Sequence, residues 1–198
     1  MGILLRISAL IDALNERVGK LVYWLVLATV LISAGNAIMR KMFSISSNAW
    51  LELQWYLFSA VFLLCAGYTL LHNGHVRIDV LAGRLSPKGQ AWIDILGTLF
   101  FLLPMTLMLT WMSWPYFVRA FQTSEISGSA GGLILWPARV LMPVGFALLA
   151  LQGLSELIKR VAFVAGKGPD PIPRHDVNAE AELVEEIRKM AESKEVRS

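Results

Sequence analysis

A chain of 198 residues that is 56% hydrophobic and only 17% charged, with a mean hydropathy of +0.56, excludes an ordinary water-soluble domain and excludes disorder over most of its length. Cys65 is the only cysteine, so there is no intramolecular disulfide scaffold. The net charge of +3 divides unevenly, with 13 Lys/Arg against 7 Asp/Glu in residues 1–167 and 5 against 8 in residues 168–198. Cations bordering long apolar runs suit anionic lipid headgroups; they do not form the basic, aromatic-interleaved patch that nucleic acid requires.

Residues 1–20 come first in chain order. Asp12, Asn15, Glu16 and Arg17 exclude a signal peptide, whose core is uninterrupted and apolar. Leu4, Ile7, Ile11, Leu14 and Val18 recur at helical spacing, which predicts an interfacial amphipathic helix with those residues on its apolar face.

Four apolar runs follow, each long enough for the roughly 20 helical residues that a 30 Å hydrocarbon core demands. The first, residues 21–39, is flanked by Lys20 and by Arg40-Lys41. The second, 49–71, is interrupted by Glu52 and Gln54 and carries Trp50, Trp55 and Tyr56 where an aromatic belt lies. The third, 91–117, contains Asp94, Pro104 and Pro115 and exceeds the bilayer thickness, which predicts tilt, a kink near Pro104, or an end beyond the membrane. The fourth, 137–158, opens at Trp136-Pro137, where proline suits a first helical turn, and stops at Lys159-Arg160. The fold class is therefore an all-α membrane protein: an interfacial helix (1–20), a four-helix transmembrane domain (21–160), and a linker with a charged tail (161–198). Two glycines and three prolines in residues 166–173 stiffen that linker, and residues 179–190 have the pattern of a short charged amphipathic helix.

Orientation follows from the cations. With the N-terminus inside, the inner side gains Arg6, Arg17, Lys20, Arg77, Arg84, Lys88, Lys159, Arg160, Lys167 and Arg174; the outer side has Arg40, Lys41, Arg119 and Arg139. Ten against four places both termini in the cytoplasm.

Ionisable groups within or beside the spans are the candidates for function. Glu52 lies about 4.5 Å inside the start of its span and is read as a subunit contact or as a solvated, locally paired carboxylate. Asp94, at the inner end of the third span, is within reach of Arg84 or Lys88 and also suits the positive end of its own helix. His75, Arg77 and Asp79 form the densest polar segment, just after His72. Neither acid is at mid-membrane, which argues against a proton relay or cation site in this chain alone. Two histidines at the end of one helix and a third in the tail do not make a haem site. No nucleophile elbow or metal-ligand spacing is present. The expectation is no enzyme, no catalytic or metal site and no cofactor. Trp50, Trp92, Trp114, Trp136, Arg84 and Lys88 are expected to anchor the chain in the membrane.

The segment Asn48-Ala49-Trp50-Leu51-Glu52-Leu53-Gln54-Trp55-Tyr56, continued by Gly67-Tyr68-Thr69-Leu70 and His75-Val76-Arg77-Ile78-Asp79-Val80, resembles the small membrane subunit (DctQ-like) of tripartite ATP-independent periplasmic (TRAP) transporters. Leu85-Ser86-Pro87, Ala91-Trp92-Ile93-Asp94, Ser113-Trp114-Pro115 and Leu151-Gln152-Gly153-Leu154-Ser155-Glu156 extend the likeness over about residues 15–160, with a cast similar to the mannitol/chloroaromatic branch. The resemblance implies an inner-membrane scaffold for a large multi-span transport subunit. It also implies a periplasmic substrate-binding protein delivering an organic anion, commonly a carboxylate, with a sodium gradient driving symport. Substrate and sodium sites would then belong to the large subunit, with Glu52, Trp55, His75, Arg77, Asp79 and Asp94 as subunit contacts or structural polar contacts here. The reading from residues alone leaves a second possibility, an independent homo-oligomeric small transporter.

Overall fold

The computed structural model describes residues 2–44, 47–74, 85–169 and 188. Where side chains are apolar over more than 18 consecutive residues and the backbone must satisfy its own hydrogen bonds, a helix is the only open-ended solution in a bilayer. Four such stretches form: α1 (Gly2–Phe43), α2 (Asn48–Leu71), the pair α3 (Pro87–Gly97) and α4 (Leu103–Gln122) joined by a π-helical turn (Thr98–Leu102), and α5 (Trp136–Val164). All four stretches are long and apolar enough to cross a membrane. Among the described residues there is no strand, only an isolated bridge between Ile126 and Ile134.

α5 is the hub of the described helices. α5 packs against α1, α2, α3, the π turn and α4, and α1 also packs along α2. Small residues set these approaches, as they do where helices associate without a hydrophobic drive between them. A side chain at Gly145 would stand 2.8 Å from the Leu63 backbone carbonyl oxygen, and one at Gly67 would stand 2.2 Å from Asn15 Oδ1. Large apolar side chains such as Phe62, Phe101 and Trp111 point outward, so the solvent of this surface is hydrocarbon.

Two departures from the sequence reading have physical causes. The helix of residues 1–20 forms, but without a break before the first span: Gly2–Phe43 is one helix of 42 residues, about 63 Å at 1.5 Å per residue. Its inward face is Ser8, Ile11, Asn15, Gly19 and Val22, while Leu4, Ile7 and Leu14 are exposed. Of the expected apolar stripe, Leu4, Ile7 and Leu14 are thus turned outward, Val18 is half-buried and Ile11 is buried. Beside lipid an apolar side chain gains little by facing another helix, whereas a hydroxyl or amide must find a partner, so the polar stripe becomes the packing face.

The irregularity expected near Pro104 is the π turn. Proline at 104 has no N–H for the Phe100 carbonyl, and its ring crowds that carbonyl. Widening the preceding turn relieves the crowding, and the Leu103 amide reaches back five residues to Thr98. The buried Thr106 hydroxyl then donates to the carbonyls of Leu102 (2.8 Å) and Leu103 (3.1 Å). From Pro87 to Gln122 this combined helix has 36 residues, so it is longer than the bilayer requires. α5 in turn runs past Arg160 to Val164 rather than ending at Ile158.

Candidate functional site

Among the described residues, the bonded ionisable and amide side chains gather mainly in two places, one at each end of α5. At the end that holds both Ser8 and Ser155, α1 and α5 run against each other with polar residues at three- and four-residue spacing on both. Asp12 Oδ1 accepts from Ser155 Oγ at 2.6 Å and from Gln152 Nε2 at 2.9 Å, and Asp12 Oδ2 accepts from Lys159 Nζ at 3.1 Å. Asn15 Nδ2 donates to Gln152 Oε1 at 2.9 Å, and the Ser8 and Ser155 hydroxyls share a hydrogen at 2.7 Å. Glu156, almost fully buried, takes Lys159 Nζ at 2.5 Å and lies 3.8 Å from the Arg160 guanidinium. Arg160, equally buried, donates to Asp94 on α3. One chain of charge and hydrogen bonds therefore ties α1, α3 and α5. Buried ions are tolerated only in such company, because removing one partner leaves the other uncompensated.

A second clip joins α1 to α2 nearby. Glu16 accepts from His72 Nε2 at 2.8 Å and pairs with Lys20 at 3.1 Å.

At the opposite end, the connection of residues 123–135 folds over α2 and α5. Glu52 receives the Ser127 hydroxyl and the Leu133 amide, the latter at 2.7 Å. Asn48 Nδ2 reaches the Ala130 carbonyl at 3.1 Å, and the Glu125 amide and carbonyl bond Ala120 and Leu135. Arg139 grips Glu125 with both guanidinium nitrogens, at 2.5 and 2.7 Å, and lies over the Tyr116 ring at 3.9 Å. That bidentate grip holds the Glu125 carboxyl below the usual carboxylate range. Trp114, Phe117, Phe121 and Trp136 continue the clasp as a run of rings 5.6–6.1 Å apart, linking α4 to α5.

Of the residues singled out from sequence, Glu52 is locally bonded to the loop it faces, and Asp94 meets Arg160 of α5, whereas Lys88 is exposed. Trp55 is 75% exposed; Trp50, Trp92, Trp114 and Trp136 are exposed as well. His75, Arg77, Asp79 and Arg84 lie outside the described residues, as do the tail helix and the linker beyond Pro169. The Asp12–Arg160 network is visible in the sequence only as end-turn charges. Its signal was present: Ser8, Asp12 and Asn15 on one helix and Gln152, Ser155, Glu156 and Lys159 on another each keep polar residues on one side at helical spacing.

The fold is that of a multi-pass α-helical membrane protein, and among the described residues ion pairs and hydrogen bonds at both ends of α5 tie its helices together. The family model for the DctQ component of tripartite ATP-independent periplasmic transporters matches residues 29–163, and the chain belongs to that family. It is a small membrane subunit of a TRAP transporter and not an enzyme; the family partners a large membrane subunit and a substrate-binding protein. No curated protein and no solved structure matches the chain.

Proposed function

We propose that this chain is the fixed scaffold of a sodium-driven transporter for organic anions, carboxylates above all, in the bacterial inner membrane. It holds the large transport subunit in place and adds part of the surface on which the periplasmic binding protein docks. Both termini are cytoplasmic, so the clasp of residues 123–135 faces the periplasm and the Asp12–Arg160 network lies toward the cytoplasm. Glu52, Trp55 and Asp94 act in structure and assembly, as do His75, Arg77 and Asp79; the tryptophans with Arg84 and Lys88 anchor the chain.

The observation that carries this reading is the fate of the charges. Glu52, Asp94, Glu125, Glu156 and Arg139 each have partners within this chain, at the two ends of the bundle. A coupled pump needs ionisable groups that change partner at mid-membrane, whereas paired groups at both ends brace a body that stays still while a partner moves.

The test is isolation of the tagged chain from its native membranes in mild detergent, with identification of what accompanies it. A large polytopic protein in fixed ratio is the expected result. Recovery of the chain only with copies of itself, active in transport, would establish the independent-transporter alternative. Orientation is checked separately: an impermeant thiol reagent applied outside should label Gly128→Cys and spare Ser86→Cys.

A further inference from the structure

Near the His72 end of α2, an open groove of about 470 Å³ lies between Gly19, Lys20, Trp24 and Val26 of α1 and Cys65 and Tyr68 of α2. A side chain at Gly19 would collide with the Tyr68 ring, so glycine is what lets that ring lie against α1 as part of the groove wall.

The character of the groove changes with depth. Lys20 stands at the edge of the apolar run that begins at Leu21, with its side chain 72% exposed. Arg17, also exposed, precedes it by three residues and shares its side of the helix. Tyr23 and Trp24, 72% and 64% exposed, follow about 4.5 and 6 Å further along, the level at which amphipathic rings meet headgroup and ester oxygens. Val26 lies about 9 Å past Lys20, and Cys65 lies about 10.5 Å back from His72 on α2, so the deep end is apolar.

The charge of the mouth has a definite sign. Among the described residues Arg17 and Lys20 stand beside one carboxylate, Glu16, whose Oε1 pairs with Lys20 at 3.1 Å and whose Oε2 accepts from His72 Nε2 at 2.8 Å. An exposed pair between residues four apart is weak, so Lys20 remains available to a phosphate. Two fixed cations against one anion leave the mouth positive whether or not His72 is protonated. A helix of another protein would meet this charge at one end and gain no complement along the rest of the groove. A membrane lipid has one charged end and one apolar end in the same order of depth, and the positive mouth selects an anionic headgroup.

We infer that this groove binds a phospholipid with an anionic headgroup. Arg17 and Lys20 hold the phosphate, Tyr23 and Trp24 lie beside the ester level, and one acyl chain runs past Val26 and Cys65. With both termini cytoplasmic, the lipid belongs to the inner leaflet.

The test places the full-length chain in nanodiscs of phosphatidylglycerol and phosphatidylcholine in equal amounts with the same acyl chains. The protein is then released into detergent and weighed intact with whatever lipid it keeps. The wild type should retain phosphatidylglycerol about tenfold over phosphatidylcholine. Arg17→Gln/Lys20→Gln should lose that preference, whereas Arg40→Gln/Lys41→Gln, which removes the same charge at the other end of the first span, should keep it. Val26→Trp narrows the groove without touching a charge and should lower retention about tenfold, and glycerol phosphate, a headgroup without chains, should not displace the lipid. Equal retention of the two lipids by the wild type, or an undiminished preference in the Arg17/Lys20 variant, overturns the assigned headgroup. Loss of preference in the Arg40/Lys41 variant, unchanged retention by Val26→Trp, or displacement by glycerol phosphate overturns the assigned groove. In native membranes a photoreactive benzoylphenylalanine in place of Tyr23 should attach to lipid; attachment to a protein overturns the assigned occupant.

Discussion

Replacing Gln152 with leucine isolates the energetics of the Asp12–Arg160 network with little change in side-chain size. Gln152 is fully buried; it donates to Asp12 at 2.9 Å and to Glu156 at 3.3 Å, and it accepts from Asn15 at 2.9 Å. Leucine removes all three bonds. Asp12 keeps Ser155 and Lys159, and Glu156 keeps Lys159, so neither carboxylate becomes wholly unpaired. Asn15 fares worse: its Oδ1 already lacks a partner, and its Nδ2 keeps only a 3.4 Å bond to the Ile11 carbonyl. Bonds to charged groups contribute about 1.5–3 kcal/mol in soluble proteins, and interhelical bonds in membranes average about 0.6. Between these limits the three bonds sum to about 2–4 kcal/mol, roughly a 4–16 °C fall in melting temperature for a chain of this size. The assay is thermal unfolding in detergent, followed by size-exclusion fluorescence. Leu151→Ala is the companion, because Leu151 is 39% exposed on the neighbouring lipid-facing side and should shift melting by no more than about 2 °C. If the two variants melt alike, or Gln152→Leu melts with the wild type, polar pairing does not hold α1 to α5.

Gly67→Ala should separate α1 from α2, since its methyl would meet Asn15 Oδ1 at 2.2 Å; a lowered melting temperature partly restored by adding Asn15→Ala is expected, and an additive loss would count against the contact. Glu52→Ala removes the acceptor for the Leu133 amide, so hydrogen exchange there should quicken about tenfold with residues 136–164 unaffected. Exchange at the wild-type rate would mean the clasp stands without it. The Glu125–Arg139 grip depresses the Glu125 pKa from its usual 4.5, so its stabilisation is complete above that value and is lost as pH falls through the lower folded value. Proteolysis of the 123–135 connection should therefore increase on acidification below about pH 4.5 in the wild type, while Glu125→Gln should be cut faster already at neutral pH and change little with acid. Parallel curves for the two would exclude the grip as the cause.

How much of this was readable beforehand follows from what a sequence pattern reports. Four spans stand out because apolar length is a one-dimensional property, and Pro104 marks the irregular turn through its missing N–H. Which side of α1 faces inward did not follow, because the usual rule that apolar residues face the core is reversed where the surroundings are hydrocarbon: Leu4 and Ile7 look outward and Asn15 inward. Asp94 suits its sequence neighbours Arg84 and Lys88, but sequence proximity gives no hint of Arg160, 66 positions away, which the α3–α5 packing brings to it. Glu52 shows the same limit. Its position near a helix start was plain, whereas its partners Ser127 and Leu133 depend on how a later connection folds back.

The central claim is that this chain is necessary for transport without itself transporting. Uptake of a radiolabelled carboxylate into liposomes carrying a sodium gradient tests it, with binding protein present and with the large subunit, this chain, or both in the membrane. The account predicts uptake only when both are present, with Gln152→Leu lowering it in step with the lost stability. Sodium-driven uptake by this chain alone, or full uptake by the large subunit without it, would contradict the account.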